Sequence, residues 1–269
     1  MPEGLKAKEF EIFTAFSENQ LAHIYEPEEG VFIAESLKIL ERALAAGYEP
    51  VCALIEDKCE LKVKDLLKAC PEVPVYSESA DTLKNLTGYT MTGGVMCAMR
   101  RKKLLKPVEL IKSAKRVALL ENVENPTNVG AIFRNAAALG FDAVLLTPGS
   151  SDPLYKRAVR VSMGTVFQIP WTFFDKEAYP GSAFELFKSE GFKTVAMALR
   201  EDSLKIDDEK ITKAEKLVVV LGSEGYGLTD ETLEMCDFTV MIPMSHGVDS
   251  LNVAAASALA FWELGGKTK

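Results

Sequence analysis

At 269 residues, with 48% hydrophobic and 26% charged side chains, the chain has the make-up of a globular protein with material for two domains. Five scattered cysteines with no C-x-x-C pair, two histidines and no apolar run long enough to span a bilayer argue against disulfide staples, metal sites and membrane anchoring; a reduced, metal-free, cytoplasmic protein is expected. The net charge of −8 speaks against a nucleic-acid partner only as an average, because residues 100–160 carry 12 basic and 5 acidic side chains between flanks with 9 and 17, and 10 and 17.

In chain order, Val31 to Leu44 has apolar residues at helical spacing (Leu37, Leu40, Leu44), with Gly47 placed to end a helix before the strand-like run Pro50 to Ile55. A second helix is predicted over Leu61 to Ala69, a short extended stretch at Val73 to Tyr76, a third helix over Ser79 to Leu86, and an apolar run at Gly93 to Met99. Residues 1–100 therefore read as a small α/β domain, and residues 101–112 as a basic linker. The basic side chains are densest at Arg100, Arg101, Lys102 and Lys103, and recur at Lys156, Arg157 and Arg160. Residues 113–269 alternate more plainly. Buried-type strands are predicted at Val117 to Leu120, Ala143 to Thr147, Val166 to Trp171, Thr194 to Ala198, Leu217 to Leu221 and Phe238 to Ile242. Continuous Val/Leu/Ile runs separated by helices imply a parallel sheet covered on both faces, where ligands bind at the carboxyl ends of strands.

Three loops after such strands carry unusual residues. The first runs from Glu121 through Asn125, Pro126 and Asn128 into a helix; Asn128 is placed to cap it and Gly140 to end it. Val129, Ile132, Phe133, Ala136 and Leu139 form its apolar face, leaving Arg134 among the small residues Gly130, Ala137 and Ala138. The second, Gly222-Ser223-Glu224-Gly225-Tyr226-Gly227, sets three glycines and a carboxylate behind a buried strand, a pattern neither of a dinucleotide fold nor of a phosphate-binding loop. The third runs from Ile242 to Val253, with Ser250 expected as the cap of a helix reaching about Leu264 and Asn252 an unexpected polar residue in its first turn. His246 reads as a loop residue rather than a catalyst.

Together these loops resemble the three motifs of the SpoU (TrmH-like) RNA methyltransferases of the SPOUT superfamily. Motif one, N-x-G-A-x-x-R, is met by Asn128, Gly130, Ala131 and Arg134; motif two, G-x-E-G, by Gly222, Glu224 and Gly225; motif three, I-P-M-x-x-G followed by S-L-N-V, from Ile242 to Val253. Arg160 to Gly164 looks like the stretch between motifs one and two, and Phe32 to Ser36 like the start of the small substrate-binding domain. Thr127 departs from the pattern, standing where glycine is common.

The resemblance implies a deep trefoil knot in the C-terminal domain, a homodimer, and S-adenosylmethionine held mainly by backbone groups at Gly222, Ile242, Met244 and Leu251. It implies methyl transfer to an RNA ribose 2'-hydroxyl, on ribosomal rather than transfer RNA, with Arg134, Asn128, Glu224, Ser250 and Asn252 at the catalytic centre and Arg100 to Lys103, Arg157 and Arg160 on the RNA. A guanidinium holds its proton too tightly to serve as an ordinary base, so Arg134 is expected to stabilise the developing alkoxide and to orient ribose or phosphate. Two other readings stand beside this one: a SPOUT enzyme that methylates a base, which the Ser250-Leu251-Asn252-Val253 run disfavours, and a non-catalytic RNA-binding protein of ribosome assembly, which would have lost Arg134 or a motif glycine. A dinucleotide-binding oxidoreductase predicts G-x-G-x-x-G after the first strand, and none is there.

Overall fold

The computed structural model describes residues 7–26, 29–200, 203–246 and 250–266. In chain order its elements are α1 (Ala7–Thr14), α2 (Glu18–His23), β1 (Val31–Glu35), α3 (Leu37–Ala45), β2 (Pro50–Glu56), α4 (Glu60–Leu66), β3 (Val75–Glu78), α5 (Ala80–Thr87), β4 (Val95–Arg100), α6 (Pro107–Ile111), β5 (Arg116–Leu120) and α7 (Pro126–Ala138). There follow β6 (Ala143–Leu146), α8 (Lys156–Val161), β7 (Trp171–Phe173), α9 (Gly181–Ser189), β8 (Lys193–Met197), β9 (Leu204–Lys205), α10 (Glu209–Thr212), β10 (Leu217–Leu221), α11 (Asp230–Met235), β11 (Phe238–Met241) and α12 (Val253–Leu264).

The chain forms two compact units. The first comprises the described residues up to Lys103 together with Leu154–Phe167, and the second Leu104–Pro153 together with the described residues from Gln168 onward. This differs from the linear division at residues 100 and 113: α8, expected in the C-terminal domain, packs with the first unit through buried Ala158 and Val159. An apolar helix face shows in sequence that it is covered, but not by which sheet.

In the first unit a mixed sheet runs β1-β4-β2-β3, with β4 antiparallel to both neighbours and β2 parallel to β3. Its core joins Ile33, Leu54 and Met96 of the strands to Ile12 and Phe13 of α1, a helix the sequence reading did not foresee. The segment from Val31 was expected to start a helix, yet Val31–Glu35 is a strand buried at all five positions. Its Val-Phe-Ile start suits a pleated, covered surface, and the helix begins only at Leu37, behind Ser36 at φ 96°.

In the second unit seven strands lie in the order β7-β6-β5-β10-β8-β11-β9, every neighbouring pair parallel. Val117 and Leu119 of β5, Leu145 of β6 and Val218 of β10 meet Phe184 and Phe187 of α9 on one face, while α7 buries Val129, Ile132 and Phe133. Burying each such side chain contributes about 1.5–3 kcal/mol. The strand predicted at Val166 to Trp171 is replaced by a 3-10 turn at Thr165–Phe167 and a strand starting at Trp171, because Pro170 lacks an amide hydrogen to continue the ladder. From β5 the chain steps outward through β6 and β7 on one side, while β10, β8 and β11 fill the other, so the order reverses beside β5. Such a reversal opens a crevice beyond the carboxyl ends of the strands.

Candidate active site

Motif two is shaped by its own backbone. Beyond β10 the chain folds back, Ser223 N donating to Gly227 O at 3.2 Å and Gly227 N to Ser223 O at 3.0 Å. A Cβ on Gly222 would stand 2.6 Å from the Leu228 nitrogen and closer still to the Gly227 carbonyl, and Gly227 sits at φ 68°. These two glycines are required by the turn itself, which holds Glu224 and Tyr226 outward at its tip.

Motif one begins at the carboxyl end of β5. Asn125, not Asn128, caps α7, accepting from Thr127 N at 2.9 Å with Pro126 in the first helical position, so the helix starts three residues earlier than the sequence reading placed it. Asn128 therefore lies in the first turn, 5% exposed. In motif three the cap is likewise shifted, here from Ser250 to Asn252, whose Oδ1 accepts from Ala254 N at 3.0 Å and Ala255 N at 3.4 Å. The Nδ2 of Asn252 donates to Asn128 Oδ1 at 3.2 Å and to Glu224 Oε1. One amide thus ties all three motifs together, and the buried Asn128 Nδ2 has no partner among the described residues. Ser250 is exposed nearby, on the wall of the cavity described next. The motif-three residues Gly247, Val248 and Asp249 lie outside the described residues, and His246 precedes them at φ 60°.

The cavity measures about 620 Å³ and opens at the carboxyl ends of β10, β8 and β11. It brings together Gly222, Ile242, Met244 and Leu251 with Glu224, Ser250 and Asn252. It also takes in Met197 to Arg200 after β8, a loop that no motif marks and that could have been suspected only from the place of β8 between β10 and β11.

Arg134 is not brought in. It is exposed, and among the described residues it has neither a hydrogen-bond nor an ion-pair partner, so within one chain it stands apart from Asn128, Glu224, Ser250 and Asn252, with which the resemblance grouped it. Six residues beyond Asn128 at about 100° per residue, it faces about 120° away around α7.

Two further side chains hold the frame. Asn135 Nδ2 donates to Ala254 O and Ser257 Oγ, both at 2.9 Å, locking α12 onto α7. Glu121, 1% exposed at the end of β5, accepts from Thr229 N at 2.8 Å and from the Tyr179 hydroxyl, which also meets Thr232 Oγ1 at 2.9 Å. Burial first, and then the bond to Glu121, push the Tyr179 pKa up, so the phenol stays protonated and donates. Glu121 opens the first loop singled out in the sequence, and Asn135 directly follows Arg134 of motif one; a polar residue beside apolar neighbours is the sign the sequence offers for each.

In the first unit the basic residues do not form one patch. Arg100 to Lys103 run on from the last residue of β4, where Arg100 lies 5.7 Å from the Tyr25 ring, Arg101 N donates to Gly30 O and Lys102 Nζ donates to Ala46 O at 2.6 Å. Arg160 instead sits 3.8 Å from the buried Glu35 carboxylate, on the same short helix as Arg157. The register pairs Arg100 with Val31 and Met96 with Glu35, so the two clusters mark opposite ends of the β1/β4 pair, about 13 Å apart. Among the described residues no group of three or more His, Cys, Asp or Glu side chains could hold a metal ion, and no helix is long and apolar enough to cross a membrane.

The profile of the SpoU rRNA Methylase family matches residues 115–262. An uncharacterized tRNA/rRNA methyltransferase of Mycobacterium bovis is 38% identical over 232 residues, covering 86% of this chain and 79% of that protein. The 23S rRNA (guanosine(2553)-2'-O)-methyltransferase RlmP of Bacillus subtilis is 28% identical, covering 87% and 88%. In fold, the chain is similar to the AdoMet-bound rRNA methyltransferase from Sinorhizobium meliloti, with a TM-score of 0.75, 24% identity and 87% and 86% coverage. It is likewise similar to AviRb from Streptomyces viridochromogenes, with a TM-score of 0.77, 18% identity and 96% of each chain covered.

Proposed function

The chain belongs to the SpoU rRNA methylase family, and from that premise we propose that it transfers a methyl group from S-adenosylmethionine to a ribose 2'-hydroxyl of ribosomal RNA in the cytoplasm. The observation that carries this reading is the single amide of Asn252, which joins the three motifs at the mouth of the cavity. RlmP, named for 2'-O-methylation of 23S rRNA and aligned over nearly its whole length, supports the choice of ribose and of ribosomal RNA.

The residues present fit such a donor. A cavity of about 620 Å³ lies in the range that encloses small cofactors, and its walls are apolar side chains and turn backbone rather than a phosphate cradle. Gly222, Ile242, Met244 and Leu251 hold the donor; when bound, it supplies an electrophilic methyl group for in-line attack. Asn252 holds Glu224 and Asn128 in fixed positions. The free Nδ2 of Asn128 is a donor for the ribose or its neighbouring phosphate, and the Glu224 carboxylate is the acceptor for the leaving hydroxyl proton. Arg134 stabilises the alkoxide as charge develops.

Because Arg134 lies off the cavity of its own chain, the reading includes a homodimer. Its support is the outward side of α12, where Leu259 is 48% and Trp262 72% exposed beside α7, a face that a second copy covers while carrying Arg134 towards the partner's cavity. It includes the trefoil knot as well, supported by the return of α12 from β11 onto α7. Arg100 to Lys103, Arg157 and Arg160 are the RNA contacts, reaching the backbone from both ends of the first unit's sheet.

The test is incubation with methyl-labelled donor and total RNA from cells lacking the protein, followed by digestion to nucleosides. Label in a 2'-O-methyl nucleoside of ribosomal RNA is expected. Label on a base, or donor binding without transfer, would overturn the proposal in favour of base methylation or of an assembly role.

A further inference from the structure

The three motifs leave the loop Met197 to Arg200 without a role, although it forms part of the cavity wall. β8 is hydrogen-bonded to β10 on one side and β11 on the other, so its loop opens between motifs two and three. Of the described residues that line the cavity, two are charged, Glu224 and Arg200. The Glu224 carboxylate is engaged by Asn252. The Arg200 guanidinium has no hydrogen-bond or ion-pair partner among the described residues, while its backbone is pinned: Arg200 N donates to Ser203 Oγ at 3.0 Å, and that hydroxyl donates to Ala198 O at 3.2 Å. The structure thus places on the cavity wall, on a loop whose backbone is pinned, a cation without a partner among the described residues, where the other charged described side chain is an anion.

S-adenosylmethionine is chemically two-ended. Its adenosine suits apolar walls and backbone groups, but its amino-acid tail carries a carboxylate, which the Glu224 carboxylate on the cavity wall would repel. A guanidinium answers a carboxylate with two parallel hydrogen bonds. Resting on the methyl-donor reading above, we infer that Arg200 is the anchor for the carboxylate of the donor's amino-acid tail. Its neighbours Met197 to Leu199 add only apolar side chains and backbone to that part of the wall.

The test is calorimetric binding of S-adenosylmethionine and of its decarboxylated analogue to the full-length protein and to Arg200→Ala and Arg200→Lys variants. The unaltered protein is expected to prefer the intact donor by about 10- to 100-fold, the scale of a charge-assisted pair. Arg200→Ala loses that preference, by weakening the intact donor alone, and Arg200→Lys recovers part of it. Arg200 is exposed, so both variants are expected to melt with the parent. Equal weakening of both ligands by Arg200→Ala, or of neither, would overturn the assignment. Binding of neither ligand by the unaltered protein would instead overturn the methyl-donor reading, and the assignment with it.

Discussion

The two ends of the seven-stranded sheet treat polar groups in opposite ways. At the amino ends, three charged side chains, Arg116, Asp142 and Asp237, are fully engaged. Arg116, opening β5, donates to the carbonyls of Leu264, Glu215, Ala214 and Lys115 at 2.7–3.1 Å. Asp142 accepts from Lys115 N and Arg116 N, and Asp237 from Lys193 Nζ, Thr194 N and Thr194 Oγ1. At the carboxyl ends the accounts stay open: among the described residues Asn128 Nδ2 and the Arg200 guanidinium have no partner, and Glu224 shares one amide. Saturated groups close a scaffold, while open valences beside a cavity are left for a ligand.

The first way to break this contrast is to remove a group with no structural partner. Arg134→Ala is expected to lower the single-turnover methyl-transfer rate by about 100- to 1,000-fold, the usual cost of losing one charge-stabilising donor, with donor affinity by calorimetry unchanged. A loss confined to donor affinity would remove Arg134 from the chemistry. Next in size is Glu121, a saturated carboxylate at the carboxyl end of β5. Glu121→Ala strands Thr229 N and the Tyr179 hydroxyl, and is expected to cost about 2–4 kcal/mol in urea unfolding, with Tyr179→Phe costing about 1. A Glu121→Ala variant as stable as the parent would show that the clamp is decorative. The glycines sharpen the contrast further. Gly222→Ala forces its turn to move and should weaken donor binding about tenfold, whereas at Gly225 nothing lies within 4 Å of an added Cβ and Ala should be silent. Equal effects at both positions would refute the turn argument.

These outcomes bear on what the sequence could carry. The parallel sheet and the three motifs were legible because buried Val/Leu/Ile runs and clustered Asn, Gly and Glu leave local marks. The caps were misread by two or three residues, since Asn125 and Asn128, or Ser250 and Asn252, are each adequate caps and the choice is made by Pro126 and by the tie to Glu224. The strand at Val31 was hidden by a helical-looking spacing that continues into α3. The membership of α8 in the first unit, the split of the basic residues between two ends of a sheet and the entry of Arg200 into the cavity all depend on contacts between distant segments. No local pattern records those.

The smallest effect probes the saturated end through pH. Burial alone would lift the Asp237 carboxyl, but bonds from Lys193, Thr194 N and Thr194 Oγ1 together outweigh it and hold the pKa below the usual carboxylate value. The folded state therefore binds this proton more weakly than the unfolded chain does. The stabilisation is complete above the unfolded value, about 3.9, and drains away as pH falls through the lower folded one. With the side chain 33% exposed, solvent screening keeps the contribution below about 1 kcal/mol. Urea midpoints for the parent and Asp237→Asn should differ at pH 7 and converge below about pH 4. A gap that stays constant down to pH 3 would assign the effect to geometry rather than charge.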